Sequence, residues 1–198
     1  IAYTSRKKEG VQYAISTDTD IYLYDIASKT TINLCKPAGY QEPKIDATKS
    51  MRNQEVNHQA GDMQVGYDVN PQFSPDGKYI AWQSMKNNGY ESDRNRLCVM
   101  DIATGKKTYV TEKFDSNVDG FIWAANSKDL YFIGCWHACI NIYQTNLKGD
   151  IKQLTEGQHD YASIDLLGST GKQLVALRHS MSAPNDIFVV TPSKKEKA

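Results

Sequence analysis

Asn70-Pro71-Gln72-Phe73-Ser74-Pro75-Asp76-Gly77-Lys78-Tyr79-Ile80-Ala81-Trp82 reads as strand, tight turn, strand. Pro75 presets φ for a turn, and Gly77 supplies the positive φ that closes it. Moving outward, a polar stretch through Asn87, Asn88 and Gly89 precedes a third strand over 96–102. The turn Ala103-Thr104-Gly105-Lys106 leads to a fourth over 107–111. The same order recurs downstream: strand 121–123, turn 126–129, strand 130–133, strand 140–147, turn 148–150, strand 151–155. A further copy runs over 164–167, turns through Ser169-Thr170-Gly171-Lys172, and continues over 173–177 and 186–191. Upstream, 1–4, 21–26 and 31–34 match a second, a third and a fourth strand.

The spacing identifies the repeat. Asp101 and Asn146 lie 45 positions apart, and Asn146 and Thr191 another 45. A four-stranded propeller blade takes about 40–45 residues. Asp25 and Asp101 are 76 apart, and the excess of 31 is accounted for by a polar stretch over 37–66 without strand alternation. No segment sustains a helical period. The expectation is an all-β chain, a partial β-propeller of about three and a half four-stranded antiparallel blades. The blades fall near 1–36, 67–112, 118–156 and 161–192, forming one fragment with an insertion over 37–66 and a disordered charged tail over 193–198. The chain opens on Ile1-Ala2-Tyr3-Thr4, which reads as mid-strand and suggests a piece of something longer. Blade edges left open by such a cut are expected to favour self-association.

Composition removes several classes of function. Lys+Arg and Asp+Glu both number 23, so the basic excess that phosphate neutralisation demands of a nucleic-acid binder is missing. No apolar run approaches the roughly 18 residues of a membrane span. The four cysteines, Cys35, Cys98, Cys135 and Cys139, are too few and too scattered for a disulfide framework.

Antiparallel strands A to D alternate direction, so A–B and C–D turns emerge on one face and B–C and D–A connections on the other. The first set is uniformly short. The second set is long or chemically rich: 5–20, 37–68, 85–95, 112–119, 134–139, 156–160 and 179–185. Long loops on a rigid scaffold tend to carry function, so the B–C/D–A face is the candidate working face.

The run from Gly66 to Ile102 resembles the N-terminal propeller of prolyl oligopeptidase family serine peptidases, in the dipeptidyl peptidase and acylaminoacyl peptidase branch. Three features carry the resemblance: the turn Phe73-Ser74-Pro75-Asp76-Gly77-Lys78, the loop Gly89-Tyr90-Glu91-Ser92-Asp93-Arg94, and the turn Asp101-Ile102-Ala103-Thr104-Gly105. The first and third are shared with any TolB-like or WD40-like propeller. The resemblance implies a propeller that caps an α/β-hydrolase domain and filters peptide substrates, in a periplasmic or secreted protein. No Gly-x-Ser-x-Gly nucleophile elbow occurs in the chain. The expectation is therefore a portion with no catalytic residues and no cofactor, reaching peptides through its parent's hydrolase domain. The alternative is a TolB-like protein-binding propeller with no catalytic partner domain.

The candidate substrate contacts are Tyr90, Glu91, Asp93 and Arg94 in the B–C loop. A carboxylate there can meet a peptide ammonium, a charge-assisted hydrogen bond of about 1.5–3 kcal/mol. It can equally pair with Arg94 or Arg96 and only pin the loop, at about 0–1 kcal/mol. Cys135-Trp136-His137-Ala138-Cys139 admits a metal site, a Cys135–Cys139 disulfide, or an ordinary loop with Trp136 packed at the central channel. As a strand it would put the side chains of Cys135, His137 and Cys139 on one face. His58, His159 and His179 stand on separate loops and read as solvent-facing or capping. A channel metal would need ligands on the innermost strands, which offer only Asp165.

Overall fold

The computed structural model describes residues 1–10, 13–14, 16–41, 64–89, 92–168 and 170–192. Tyr90, Glu91, His58, Ser169, the 193–198 tail and most of the expected insertion (42–63) lie outside the described residues.

Fourteen strands occur among the described residues: β1 (Ala2–Ser5), β2 (Asp20–Asp25), β3 (Thr30–Asn33), β4 (Asp68–Phe73), β5 (Tyr79–Ser84), β6 (Arg96–Asp101), β7 (Lys107–Tyr109), β8 (Gly120–Trp123), β9 (Asp129–Trp136), β10 (Cys139–Asn146), β11 (Ile151–Gln153), β12 (Asp160–Leu167), β13 (Gln173–Ser180) and β14 (Ala183–Val190). They form four meandering sheets, β1-β2-β3, β4-β5-β6-β7, β8-β9-β10-β11 and β12-β13-β14. The fold is all-β and of partial propeller type. Among the described residues the first and fourth sheets have three strands each, with no A strand in the first and no D strand in the fourth. Pro71 in β4 and Pro184 in β14 fall on strands at the ends of their sheets, where a missing N–H interrupts no central ladder.

The chain forms two compact units, one of Ile1–Pro71 with Ser84–Asp93, the other of Gln72–Gln83 with Arg94–Ala198. In the second unit two apolar clusters explain why β9 is apolar at consecutive positions. Leu130 and Phe132 enter one cluster with Ala81, Leu97, Val110 and Trp123. Tyr131 and Ile133 enter the other with Ile142, Tyr161, Leu174 and Val190. Side chains alternate across a strand, so a blade strand covered on both faces needs apolar residues at every position. Phe132 and Leu130 are fully buried, each stabilising by about 1.5–3 kcal/mol.

The turns carry the repeat in hydrogen-bond detail. Gly77 has φ 71, as its turn requires, and its N–H donates to Ser74 O at 2.9 Å. One blade on, Ser127 holds the same place with φ 57 and donates to Ala124 O at 3.1 Å. At the C–D turns, Asp25 accepts from Ser28 N (2.7 Å), Asp101 from Thr104 N (2.9 Å), and Asn146 from Lys148 N (2.9 Å). These bonds, backbone first and hydroxyl second, hold the Asp25 and Asp101 carboxyls below the usual carboxylate range.

Two connections differ from expectation. Residues 134–139 and 179–185 are not long loops. β9 and β10 are joined by His137-Ala138 alone, and β13 and β14 by Met181-Ser182. Both ribbons continue pairing to their tips, with Trp136 opposite Cys139 and Ser180 opposite Ala183. Cross-strand pairing, continuous in β9–β10 and broken by one register shift between Arg178 and Ser180 in β13–β14, satisfies backbone groups that an open loop would leave to water.

Candidate functional site

In the first and second sheets the B–C end is built from residues just outside the strands. Of the predicted contacts, Asp93 closes its own loop: its Oδ2 accepts from Asn87 N and Asn87 Nδ2, both at 2.8 Å. Arg94 donates to Phe114 O at 3.0 Å and to Glu112 Oε1 at 3.2 Å, and Arg96 donates to Glu112 Oε2 at 3.1 Å. The arginines are thus tied to the D–A connection through Glu112, a partner outside the loop containing the expected carboxylates.

An ionic cluster in the first unit was not legible as a site in the sequence. Asp18 and Asp20 flank the entry to β2, and spacing of two puts both carboxylates on one side of the extended chain. Buried Lys36, three residues past the end of β3, donates to Asp18 Oδ1 at 3.0 Å, to Asp20 Oδ1 at 2.6 Å and to the Gln64 carbonyl. Lys8 reaches Asp18 Oδ2 at 2.7 Å. Burial alone would push the Lys36 ammonium down; the Asp18 and Asp20 carboxylates more than reverse this and keep it protonated. Burial lifts the Asp20 carboxyl, and the ammonium opposes the lift only in part. Asp20, Cys35 and Asp68 bring ligand atoms within 4.8 Å of one another. Burial, then the nearby carboxylates, push the Cys35 thiol well up, and Lys36 already stands as the cation beside Asp20. Of these three, Asp20 accepts from that internal ammonium. The one advance signal was a pair of aspartates opening an otherwise alternating apolar strand.

The same unit links two B–C connections. Asn88 Oδ1 accepts from Thr17 N at 2.8 Å and from Ser16 Oγ at 3.2 Å, and Gly89 N donates to Thr17 Oγ1 at 2.7 Å.

In the second unit the projecting ribbons define the candidate contact surface. Trp136 is 43% exposed and lies flat on His137, with ring centroids 4.8 Å apart and planes 20° apart. It is not packed into a channel. The register places Cys139 opposite Trp136 and Cys135 opposite Ile140. Opposed residues share a face and neighbours alternate, so the two thiols leave the ribbon on opposite sides; both are free. His137 sits in the turn with φ 50, so Cys135, His137 and Cys139 do not form one ligand face. Ile140 N donates to Asp160 Oδ1 at 2.7 Å, and His179 Nδ1 meets Asn185 Oδ1 at 3.1 Å, while His179 Nε2 stands 3.9 Å from Asp160 Oδ2. His159 packs edge-on to Tyr161 at 5.3 Å. A cavity of 350 Å³ opens beside these groups, walled by His159, Arg178, His179, Asn185, Asp186 and Phe188. Asp165 is exposed on β12.

No family model matches the chain. Over 193 residues, 97% of its length, the chain is 42% identical to dipeptidyl-peptidase 5 of Porphyromonas gingivalis, and it spans 24% of that relative's length. Among solved structures, TolB from Acinetobacter baumannii matches 98% of the chain at a TM-score of 0.59 and 17% identity, with 39% of TolB covered. The acylaminoacyl peptidase of Pyrococcus horikoshii matches 87% at a TM-score of 0.57 and 14% identity, with 21% of that chain covered. At such identities the two structures show likeness of fold.

Proposed function

The chain belongs, as a propeller portion, to the dipeptidyl peptidase branch of the prolyl oligopeptidase family, and on that premise we propose that it is the non-catalytic part of a serine exopeptidase that caps and gates the passage of peptides to an α/β-hydrolase domain. The observation that carries this reading is the 42% identity to a dipeptidyl peptidase along 97% of the chain, aligned to only 24% of the relative. Tyr90, Glu91, Asp93 and Arg94 are the proposed rim residues on the substrate side. The ties of Asp93 to Asn87 within the loop and of Arg94 to Glu112 outside it support a gate whose loop is held at both points. The bacterial relative and the TolB likeness support a periplasmic or secreted setting. No helix among the described residues is long and apolar enough to cross a membrane.

The test uses the full-length parent protein. Turnover of a chromogenic dipeptide derivative is compared with that of a long unstructured peptide, in wild type and in Arg94→Ala. Releasing the loop from Glu112 is expected to shift the ratio of kcat/KM toward the long peptide by about two- to fivefold, the size of one partly exposed ion pair, with kcat for the dipeptide unchanged. The isolated chain is expected to hydrolyse neither. An unchanged ratio, or hydrolysis by the isolated chain, counts against the reading. The TolB-like alternative predicts instead that the chain retains a protein partner in the absence of any hydrolase.

A further inference from the structure

Both edge strands of the fourth sheet carry the same short-range bond. On β12, Leu166 N–H donates to Oδ1 of the preceding Asp165 at 2.7 Å. On β14, Ile187 N–H donates to Oδ1 of the preceding Asp186, also at 2.7 Å. The central strand β13 contains no aspartate. Aspartate is depleted in strands, because its side chain competes with the ladder for nearby backbone groups. At an edge that competition acts on groups the ladder does not use.

The register shows which way these N–H groups point. In an antiparallel sheet the residues of a central strand bond alternately to one neighbour and to the other. Leu174 lies opposite Leu166 on one side and opposite Val190 on the other. With Leu166 N–H turned away from β13, Leu174 bonds to Val190. The bonded series on β14 is then Val190, Phe188 and Asp186, so Ile187 and Val189 direct their N–H and C=O groups outward from the edge. The bond from Ile187 N–H to Asp186 has the same parity, seen from the opposite edge of the sheet. Among the described residues no further strand pairs with β14.

Ile187-Phe188-Val189-Val190 is uncharged and rich in β-branched residues, a composition that pairs readily at an open edge. It also fits itself. In an antiparallel two-fold pair centred on Phe188, Ile187 of one copy exchanges backbone bonds with Val189 of the other, and Asp186 falls opposite Val190, so no like charges meet. The incoming Val189 carbonyl needs the Ile187 N–H. That N–H is already held by the Asp186 carboxylate, whose charge also repels the carbonyl oxygen. We infer that Asp186 is an edge guard: by capping the outward N–H of Ile187 it closes β14 to strand pairing with a second copy of this chain, and leaves the apolar face of the same sheet as the route by which copies meet. The guard is independent of the gating reading.

The test is amide hydrogen exchange of the whole chain, resolved to single residues by NMR over a range of protein concentrations. Val189 N–H, outward by the same parity, is the reporter. Phe188 N–H, bonded to β13, shows that the sheet is intact. Asp186 is exposed, and Arg178 across from it is seated over the Phe188 ring at 3.6 Å, so the carboxylate can be changed without unseating a buried group. Asp186→Asn keeps an acceptor oxygen at the same reach and drops the charge; Asp186→Ala drops both. In wild type and Asp186→Asn, Val189 is expected to exchange at one rate at every concentration. In Asp186→Ala its exchange is expected to slow as concentration rises, by about two- to twelvefold, the net worth of one backbone hydrogen bond, with Phe188 protected throughout. Asp186→Val, a strong strand former without an acceptor, carries the same expectation, so a weakened sheet in the alanine variant does not decide the matter. Three results overturn the guard: concentration-independent exchange of Val189 in both carboxylate-free variants, concentration-dependent protection already present in wild type, or an Asp186→Asn variant as open to pairing as Asp186→Ala.

Discussion

Lys36 shows how a single side chain can hold a loop-rich end of a sheet together. Its ammonium meets two carboxylates and a carbonyl, all in buried surroundings. Removing one partner of such a group leaves the others desolvated and uncompensated, which is the costly case. Lys36→Met is expected to destabilise the chain by about 3–5 kcal/mol, read from urea denaturation. Lys36→Met combined with Asp20→Asn should recover part of that loss. The pH dependence follows from the direction of the shift. Lys36 is held protonated above its ordinary value. Its contribution is complete below the unfolded-state pKa, near 10.4, and disappears only as pH rises through the higher folded-state value. Between neutral pH and about pH 10 the Lys36→Met penalty should therefore be flat; a penalty already falling near pH 8 would contradict the buried ion pairing. The turn aspartates behave in the opposite sense. Asp25 and Asp101 are held low, so what they add is present above the ordinary carboxylate range and fades as pH falls through their folded values.

At the scale of the element, two glycines separate conformational from steric need. Gly77 takes φ 71 in its turn, and a Cβ there would meet nothing within 4 Å. Gly77→Ala should cost about 1–2 kcal/mol, the left-handed penalty alone. Gly134 lies inside β9 at ordinary strand φ, but a Cβ would fall 2.7 Å from Asn117 O and 2.7 Å from the Phe114 ring. Phe114 is wedged against Phe132 and Tyr143, at centroid distances of 5.1 and 4.8 Å, and cannot retreat cheaply. Gly134→Ala is expected to cost about 3 kcal/mol, more than Gly77→Ala; equal urea midpoints for the two variants would show that the aromatic cluster yields. The Gly77 requirement was legible as Pro-Asp-Gly. The Gly134 requirement was not, because the neighbour that demands it comes from a connection twenty residues away.

For the molecule as a whole, the fourth sheet has one face with no partner among the described residues of its unit. Leu177 and Ile187 are directly paired on that face, at 38% and 68% exposure, beside Val189 at 55%. An apolar sheet face of this sort, next to the unpaired edge of β14, is expected to drive self-association of the chain in isolation. Sedimentation velocity should show a weight-average mass that rises with concentration, and Ile187→Lys/Val189→Lys should return it toward 22.2 kDa. A single monomeric boundary at every concentration would show that the face is tolerated in water.

The repeat, the four-strand unit, the turn chemistry and the lack of a nucleophile elbow were all contained in the order of residues, because period-two alternation and Pro/Gly punctuation act over a few neighbouring positions. The sequence also carried the family resemblance. Only the tertiary structure decided that 134–139 and 179–185 are tight ribbon tips, that Arg94 and Arg96 converge on Glu112, and that Lys36 answers Asp18 and Asp20. Those outcomes depend on backbone pairing at a distance and on the desolvation of charges brought together from separate strands, and neither leaves a local signature in the chain.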